Sequence, residues 1–419
     1  MKQYLDKKAY FFIIISLCTC SSPLAQLNIP GEIKTFREKR PGFNTKYFFD
    51  KYKYEYSDSD SLDKESEEVE DETSLVIGGA LRLNYAWQDY NEQRKDRFGD
   101  FGLELFRIDV NGKYNQLFLS VQYRWYATFE AIHHGYFGFR FTPEFEFQLG
   151  IHQVPFGILP YASHSFWFDA TYYLGFEDDY DAGLKFIYRP GAWDFQAAFY
   201  KNSEYIDASR TARYSFDLVT SEEQTNQEIN QFNFRIARTF KPTPDLKIDV
   251  GASLEYGQIY NQTTRDKGTR FAYALHSDLY YKSWNFQLQW VNFEFKPKNP
   301  QGVDPRTVQL AAFQFPFLIA AKGDVININF AKDFELGWFL LDNIKFYLDA
   351  SKVFPGKTYG HNSTQIVIGS LLVKKGLFTY VDYIIGQNMW FAGGPGIGLE
   401  APDSDKWLSR LNINFGFYF

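Results

Sequence analysis

Leu246–Tyr256 reads Leu-Lys-Ile-Asp-Val-Gly-Ala-Ser-Leu-Glu-Tyr. Leu246, Ile248, Val250, Ala252, Leu254 and Tyr256 alternate with Lys247, Asp249, Gly251, Ser253 and Glu255. Successive side chains of an extended chain point to opposite faces, so a period of two marks a strand with one apolar and one polar face. The same alternation runs through 117–126, 145–152 and 193–200. Sixteen such segments of about 10–14 residues are predicted between Leu75 and Phe419, separated by turn residues. Their connectors tend to alternate in length. Tyr114-Asn115, Thr142-Pro143, Gly191, Lys241–Pro244, Ser283 and Gly376 are short, whereas Asp89–Gly99, Val154–Tyr180, Asn202–Glu228, Pro297–Lys322 and Phe391–Asp405 are long. Short turns on one side and long loops on the other suit a transmembrane antiparallel β-barrel.

Composition separates that barrel from a water-soluble sandwich. Aromatic residues make up 20% of the chain, with 44 Phe, 30 Tyr and 9 Trp, and they recur near strand ends. A sandwich core would be richer in Val, Ile and Leu. In lipid every backbone N–H and C=O must be paired, and a sheet achieves this only by closing on itself. A helical membrane protein is excluded. The longest apolar run, Ala9–Cys18, is about half of the roughly 20 residues a spanning helix needs.

That run has the layout of an export signal over 1–25, with Lys2, Lys7 and Lys8 ahead of it and a small-residue exit at Ser21–Ala25. Both cysteines, Cys18 and Cys20, fall inside it. The remaining chain has no disulfide framework, thiolate nucleophile or cysteine metal site. Residues 26–74 are expected to form a periplasmic extension that includes an acidic linker. Ser57–Glu72 holds nine acids and one lysine, so it alone exceeds the net charge of −7 of the whole chain. Such a segment repels itself and stays solvated. No basic footprint for nucleic acid is present.

The last strand alternates through Trp407, Ser409, Leu411, Ile413, Phe415, Phe417 and Phe419. It resembles the signal read by the machinery that assembles outer-membrane barrels. Gly150-Ile151-His152-Gln153-Val154-Pro155-Phe156-Gly157 ends one strand and opens a long loop. This segment resembles the strand–Val-Pro-Phe-Gly–loop motif of the phosphate-selective porin O and P family. Ala320-Ala321-Lys322-Gly323-Asp324 is also similar to family segments. The resemblance covers about 75–419. It implies a 16-stranded barrel in the outer membrane of a Gram-negative-type bacterium, usually a homotrimer, with loop 3 folded into the pore. The implied activity is passive diffusion of small polar solutes or ions, with outer-membrane lipid around the barrel. One departure concerns selectivity, because no Lys or Arg occurs between Val154 and Tyr180.

Alternation directs Arg82, Arg107, Arg124, Arg140, Glu146 and Lys185 into the lumen, since an Arg or Lys facing midplane lipid costs ~2–4 kcal/mol. The same rule places Arg189, Arg235, Lys247, Lys345 and Arg410 there, together with Asp109, Glu144, Asp194, Asp249, Glu255, Asp278 and Asp349. These charges either brace the wall in pairs or set a transverse field. In loop 3, Asp169, Tyr172, Tyr173, Glu177, Asp178 and Asp179 are expected at the constriction. Its acids would then sit in the narrowest water and lean selectivity towards cations. The loop aromatics could offer a stacking slide for sugars or simply pack on the wall.

Other constellations carry less chemistry. His133-His134 are neighbours expected on opposite faces of a strand. Glu177–Asp181 lacks the glycine and spacing of an EF-hand calcium loop. Gly393–Gly398 imitates a phosphate loop, but Pro395 and the lack of a following helix make it a surface loop. His164-Ser165 near Asp169 is a weak hydrolase set. No catalytic residue, cofactor or metal is expected, and the protein is read as not an enzyme. The alternatives are a blocked barrel acting in adhesion or structure, and an outer-membrane hydrolase.

Overall fold

The computed structural model of the protein describes residues 73–419. The expected export signal, and the periplasmic extension as far as residue 72, lie outside the described residues. Among the described residues the chain forms nineteen strands. The first seven are β1 (Thr73–Gln88), β2 (Asp100–Tyr114), β3 (Leu117–Tyr126), β4 (Glu130–Thr142), β5 (Phe145–Gln153), β6 (Tyr180–Tyr188) and β7 (Trp193–Ser203). The next six are β8 (Asp217–Leu218), β9 (Asn226–Thr243), β10 (Leu246–Asn261), β11 (Lys267–Tyr281), β12 (Trp284–Lys296) and β13 (Thr307–Ala312). The last six are β14 (Phe315–Ala320), β15 (Lys322–Glu335), β16 (Asn343–Pro355), β17 (Ser363–Lys374), β18 (Leu377–Gln387) and β19 (Trp407–Tyr418).

Sixteen of them close into one antiparallel barrel, all but β8, β13 and β14. Each strand pairs with the next barrel strand in sequence, and β1 closes on β19 with Ala80 opposite Tyr418 and Gln88 opposite Arg410. The strand count is the one the alternation predicts.

The barrel is inside out relative to a soluble protein. On β10, Val250, Leu254 and Tyr256 are 44–46% exposed, while Ser253 and Glu255 are at 5% and 1%. The same holds for Phe232 and Phe234 against Asn233 and Arg235 on β9, and for Ile326 and Ile328 against Asn327 and Asn329 on β15. Water would not tolerate such a continuous apolar exterior. It is the lipid-facing belt of an outer-membrane-type barrel. Towards the short turns the belt ends in a girdle that includes Tyr188, Trp193, Tyr281 and Trp284. Cations cover two of these rings from the water side: Arg238 lies 5.0 Å from the Trp193 ring centre and Lys332 4.5 Å from that of Trp284.

The tight turns follow from local chemistry. Asn115, Gly191, Lys282 and Lys375 all adopt positive φ, the backbone needed to reverse two strands without splaying them.

The other three strands were read as loop in the sequence. β8 lies in the connection after β7, and β13 and β14 form a hairpin in the connection after β12. They join as a sheet in the order β14-β13-β8, with Leu310 opposite Leu218 and Ala311 opposite Asp217. Leu218, Val308, Leu310 and Ile319 are at or below 1% exposure. Gly393–Gly398 differs from the expected surface loop too. Ile397 bridges to Ile319 and Met389 and is fully buried. The long connections thus fold over one another and create a true protein core at one end of the barrel.

Candidate pore and constriction

Loop 3 runs from Val154 to Asp179, and its neck is closed by Val154 N–H donating to the Asp179 carbonyl at 2.8 Å. Gly157, third in the Pro-Phe-Gly turn, has φ +64. A Cβ there would stand 2.3 Å from Gln289 Oε1 and would push that side chain off Ile158 N–H, so glycine is favoured by the backbone and by the docking contact. From this bend the chain crosses the lumen against one wall. Gly157 N–H donates to Ser253 Oγ at 3.0 Å and Ile158 N–H to Gln289 Oε1 at 2.8 Å. The backbone N–H groups of His164 and Ser165 both donate to Asp349 Oδ2, at 2.8 and 2.7 Å. Asn327 reaches Thr171 at 2.8 Å, and Gln365 donates to the Phe168 carbonyl at 2.6 Å. A short helix α1 (Ala170–Tyr173) follows and is buried throughout. The loop is therefore bonded to side chains of β10, β12, β15, β16 and β17.

The rest of the wall is basic. Arg82, Arg107, Arg124, Arg140, Lys185 and Glu146 all line a lumen of about 2790 Å³. That cavity is lined by short-turn residues such as Asn115 and Lys282 and equally by long-loop residues such as Tyr90 and Gly393. Fifteen Lys or Arg and nine Asp or Glu line it, a surplus of six cations in a chain of net charge −7. Part of the wall is self-braced: Arg82 meets Glu104 at 2.7 Å, Arg107 meets Asp109 at 3.2 Å and Arg235 meets Asp194 at 2.9 Å. Arg124 and Arg410 form no salt bridge among the described residues. They lie instead over the rings of Tyr214 and Trp167, at 4.3 and 3.9 Å. Arg82 covers Phe166 in the same way at 5.1 Å. Two loop 3 ring faces that could have taken a sugar, those of Phe166 and Trp167, are thus held by guanidinium.

The acids of loop 3 are placed differently from the expectation. Tyr172, Tyr173 and Asp178 line the cavity, whereas Asp169, Glu177 and Asp179 do not. Asp169 accepts from Asn329 at 2.7 Å beneath the loop. Glu177 is the loop's internal hub, accepting from Ala162 N–H at 2.9 Å, Ser163 Oγ at 3.2 Å and Thr171 Oγ1 at 2.6 Å. Burial pushes its carboxyl up to about 7 against the pull of those donors. Asp178 accepts from Tyr214 and from Tyr180 at 3.1 Å, and burial raises it as well. Turning these groups inwards satisfies the loop's own backbone and hydroxyls, a need that acids in open water would not meet.

Two further expectations change. His133 and His134 do not face opposite sides. Register slips between Gln122, opposite His134, and Tyr123, opposite Ile132, so His133 is an extra residue in a β-bulge. Both rings turn into the lumen, with their Nδ1 atoms 2.9 Å apart. The His164-Ser165-Asp169 set does not assemble. Both His164 ring nitrogens are engaged, Nδ1 with Asp349 at 2.8 Å and Nε2 with Asn285 at 2.6 Å.

No protein-family model matches the chain, and no curated protein matches it. Solved structures do. OmpT, an outer membrane protein of Vibrio cholerae in its trimer form, shares 15% identity over 83% of this chain and 100% of its own, with a TM-score of 0.53. OmpF of Salmonella typhi in complex with daunomycin shares 12% over 82% and 97%, with a TM-score of 0.53. An anion-selective porin from Comamonas acidovorans shares 11% over 83% and 100%, with a TM-score of 0.50. At such identities the likeness concerns the backbone path alone, and the chain has the fold of the outer-membrane porins.

Proposed function

We propose that this protein is an outer-membrane porin for passive diffusion of small solutes, and that it passes anions in preference to cations. The observation that carries this reading is the surplus of six cations lining the lumen, with Arg124 and Arg410 over aromatic rings and unpaired by any carboxylate among the described residues. Charges inside a narrow wet bore act through low-dielectric walls, and rings of Arg and Lys favour anions. The Val154–Gly157 turn and the basic wall support kinship with the phosphate-selective porin O and P family. The assembled form is a homotrimer, residues 1–25 direct export, and residues 26–72 lie in the periplasm before the barrel. No bond is made or broken in this function.

Planar-bilayer recording of the folded protein tests it. Steady conductance steps with a reversal potential on the anion side of zero in a KCl gradient are expected. A silent barrel would support the blocked adhesion or structural alternative, and cation selectivity would sink the charge argument.

A further inference from the structure

Loop 3 ends at Asp179, β6 begins one residue later, and Asp217 of β8 comes down on the same point. The three carboxylates Asp179, Asp181 and Asp217 lie at 3%, 1% and 0% exposure. One ligating oxygen from each stands within 4.8 Å of the others. Three like charges at that spacing and burial repel strongly unless something positive sits among them.

The protein's own cations fill that role only at Asp217. Arg270 is taken by Glu228 and by Glu255, the latter at 2.6 Å, and its remaining nitrogen donates to the Gly175 carbonyl at 2.9 Å. Arg213 meets Glu204 at 3.3 Å and touches Asp217 at 3.2 Å, without a hydrogen-bonding alignment. Both oxygens of Asp179, both of Asp217 and Oδ1 of Asp181 have no hydrogen-bond partner among the described residues. The sixth, Asp181 Oδ2, accepts only from Gln231 at 3.3 Å. Both Glu177 oxygens are satisfied nearby, whereas both oxygens of Asp179, Oδ1 of Asp181 and Oδ1 of Asp217 have neither a hydrogen bond nor an ion pair among the described residues.

We infer that Asp179, Asp181 and Asp217 form a divalent-cation site, suited to calcium, that staples the neck of loop 3 to the inward sheet. Oxygens on opposite sides of a calcium ion lie about 4.8 Å apart, given its usual 2.3–2.6 Å bonds. Three carboxylates can supply up to six oxygens, and calcium accepts six to eight in irregular geometry. Magnesium keeps several waters and strict octahedral angles, which a pocket this dry does not offer. The sequence hinted at the site only through Glu177–Asp181. The third ligand comes from 36 residues beyond Asp181 and is delivered by β8, a strand the alternation could not reveal.

The consequence is mechanical. Val154 N–H already holds the Asp179 carbonyl, so an ion on the Asp179 side chain fixes both ends of loop 3 to Asp217 as well. The width of the pore then depends on the cation and not only on the loop's hydrogen bonds.

The test uses the full-length folded barrel after exhaustive chelation, titrated with calcium chloride alone. Bound calcium per chain and the thermal transition are measured for the unmodified protein and for Asp179→Asn and Asp217→Asn. Ser57–Glu72 also attracts calcium, so the difference between the proteins is the reading. The unmodified barrel is expected to hold one more calcium than either variant, and its transition should rise with calcium while theirs stays put. Magnesium at equal concentration should give a much smaller rise. Equal calcium content in all three proteins overturns the site and leaves protonation as the way these acids are neutralised. Heat-modifiable migration on a gel reports folding. Should Asp179→Asn fail to fold, Asp217→Asn, which lies off the barrel wall, carries the comparison. A chelated unmodified barrel whose transition ignores calcium overturns the site without either variant.

Discussion

Arg124 and Arg410 illustrate how a single residue sets the pore's character. A guanidinium over an aromatic face gains about 0.5–2 kcal/mol and leaves its charge unbalanced, whereas one bonded to a carboxylate has its field cancelled by the partner's charge. Tyr214 and Trp167 therefore hold these two arginines in place at the lumen surface without neutralising them. The double variant Arg124→Gln/Arg410→Gln should lower the anion-to-cation permeability ratio by on the order of two-fold or more, read from the reversal potential in a salt gradient. Asp169→Asn should move it far less, because that carboxylate is sealed against Asn329. An unchanged ratio in the double variant would place the selectivity elsewhere. The arginines were legible in the sequence because strand alternation fixes which face each side chain takes. The loop 3 acids were not, because an irregular segment has no such period. His133 shows the intermediate case, where one inserted residue in a strand reversed the facing of a side chain.

At the scale of elements, the barrel strands and the inward sheet were legible to very different degrees. Each barrel strand divides an apolar lipid face from a polar lumen face, so its sequence alternates by necessity. The second half of β13 and the end of β14 are enclosed, and Val308, Leu310, Ala311, Ala312 and Ile319 read as a short apolar run inside a loop. Such a run has no period to betray it, and β8 is only two residues long. Loop 3 was foreseen by its length and its Pro-Phe-Gly opening, yet its docking partners on β10, β12, β15, β16 and β17 lie more than 90 residues away along the chain. The most concentrated of these is Asp349, which receives the His164 and Ser165 N–H groups and the His164 ring. Asp349→Ala would strip three charge-assisted bonds and should cost the docked loop about 3 kcal/mol or more. The wall ladders do not involve this side chain, so the barrel itself should still fold. The expected reading is a noisier open channel with larger mean conductance. Quiet, unaltered single-channel traces would show that the other anchors suffice.

At the scale of the whole molecule, everything depends on one seam. Fifteen of the sixteen wall contacts join strands that are near neighbours along the chain. The sixteenth joins β1 to β19, more than 300 residues apart, and cannot be propagated from a hairpin. Loop closure over that length carries an entropic cost that neighbouring hairpins avoid. The terminal residues lie at this seam: Leu83 faces Phe415, Leu81 faces Phe417 and Ala80 faces Tyr418. Phe419 extends it by exchanging both backbone hydrogen bonds with Gly79, at 2.9 and 3.1 Å. The Phe419 ring also covers Gly79, where an added Cβ would stand 2.8 Å from the ring edge. Removing Phe415–Phe419 would leave β1 unpaired over that stretch and strip the end of β18 of its partner. In lipid each bare N–H or C=O costs several kcal/mol, so the open barrel has no stable place in the bilayer. Folded barrel in the outer membrane should fall to a small fraction of the normal amount, measured by heat-modifiable migration. Deleting Phe419 alone removes one exchanged pair and one ring, and should lower the yield less. Two effects are separable here, because a loss of assembly-signal recognition would lower yield in cells while leaving refolding into detergent intact. Loss of the seam would lower both. Normal folded yield in cells after removal of Phe415–Phe419 would show that neither the seam nor the signal resides in these residues.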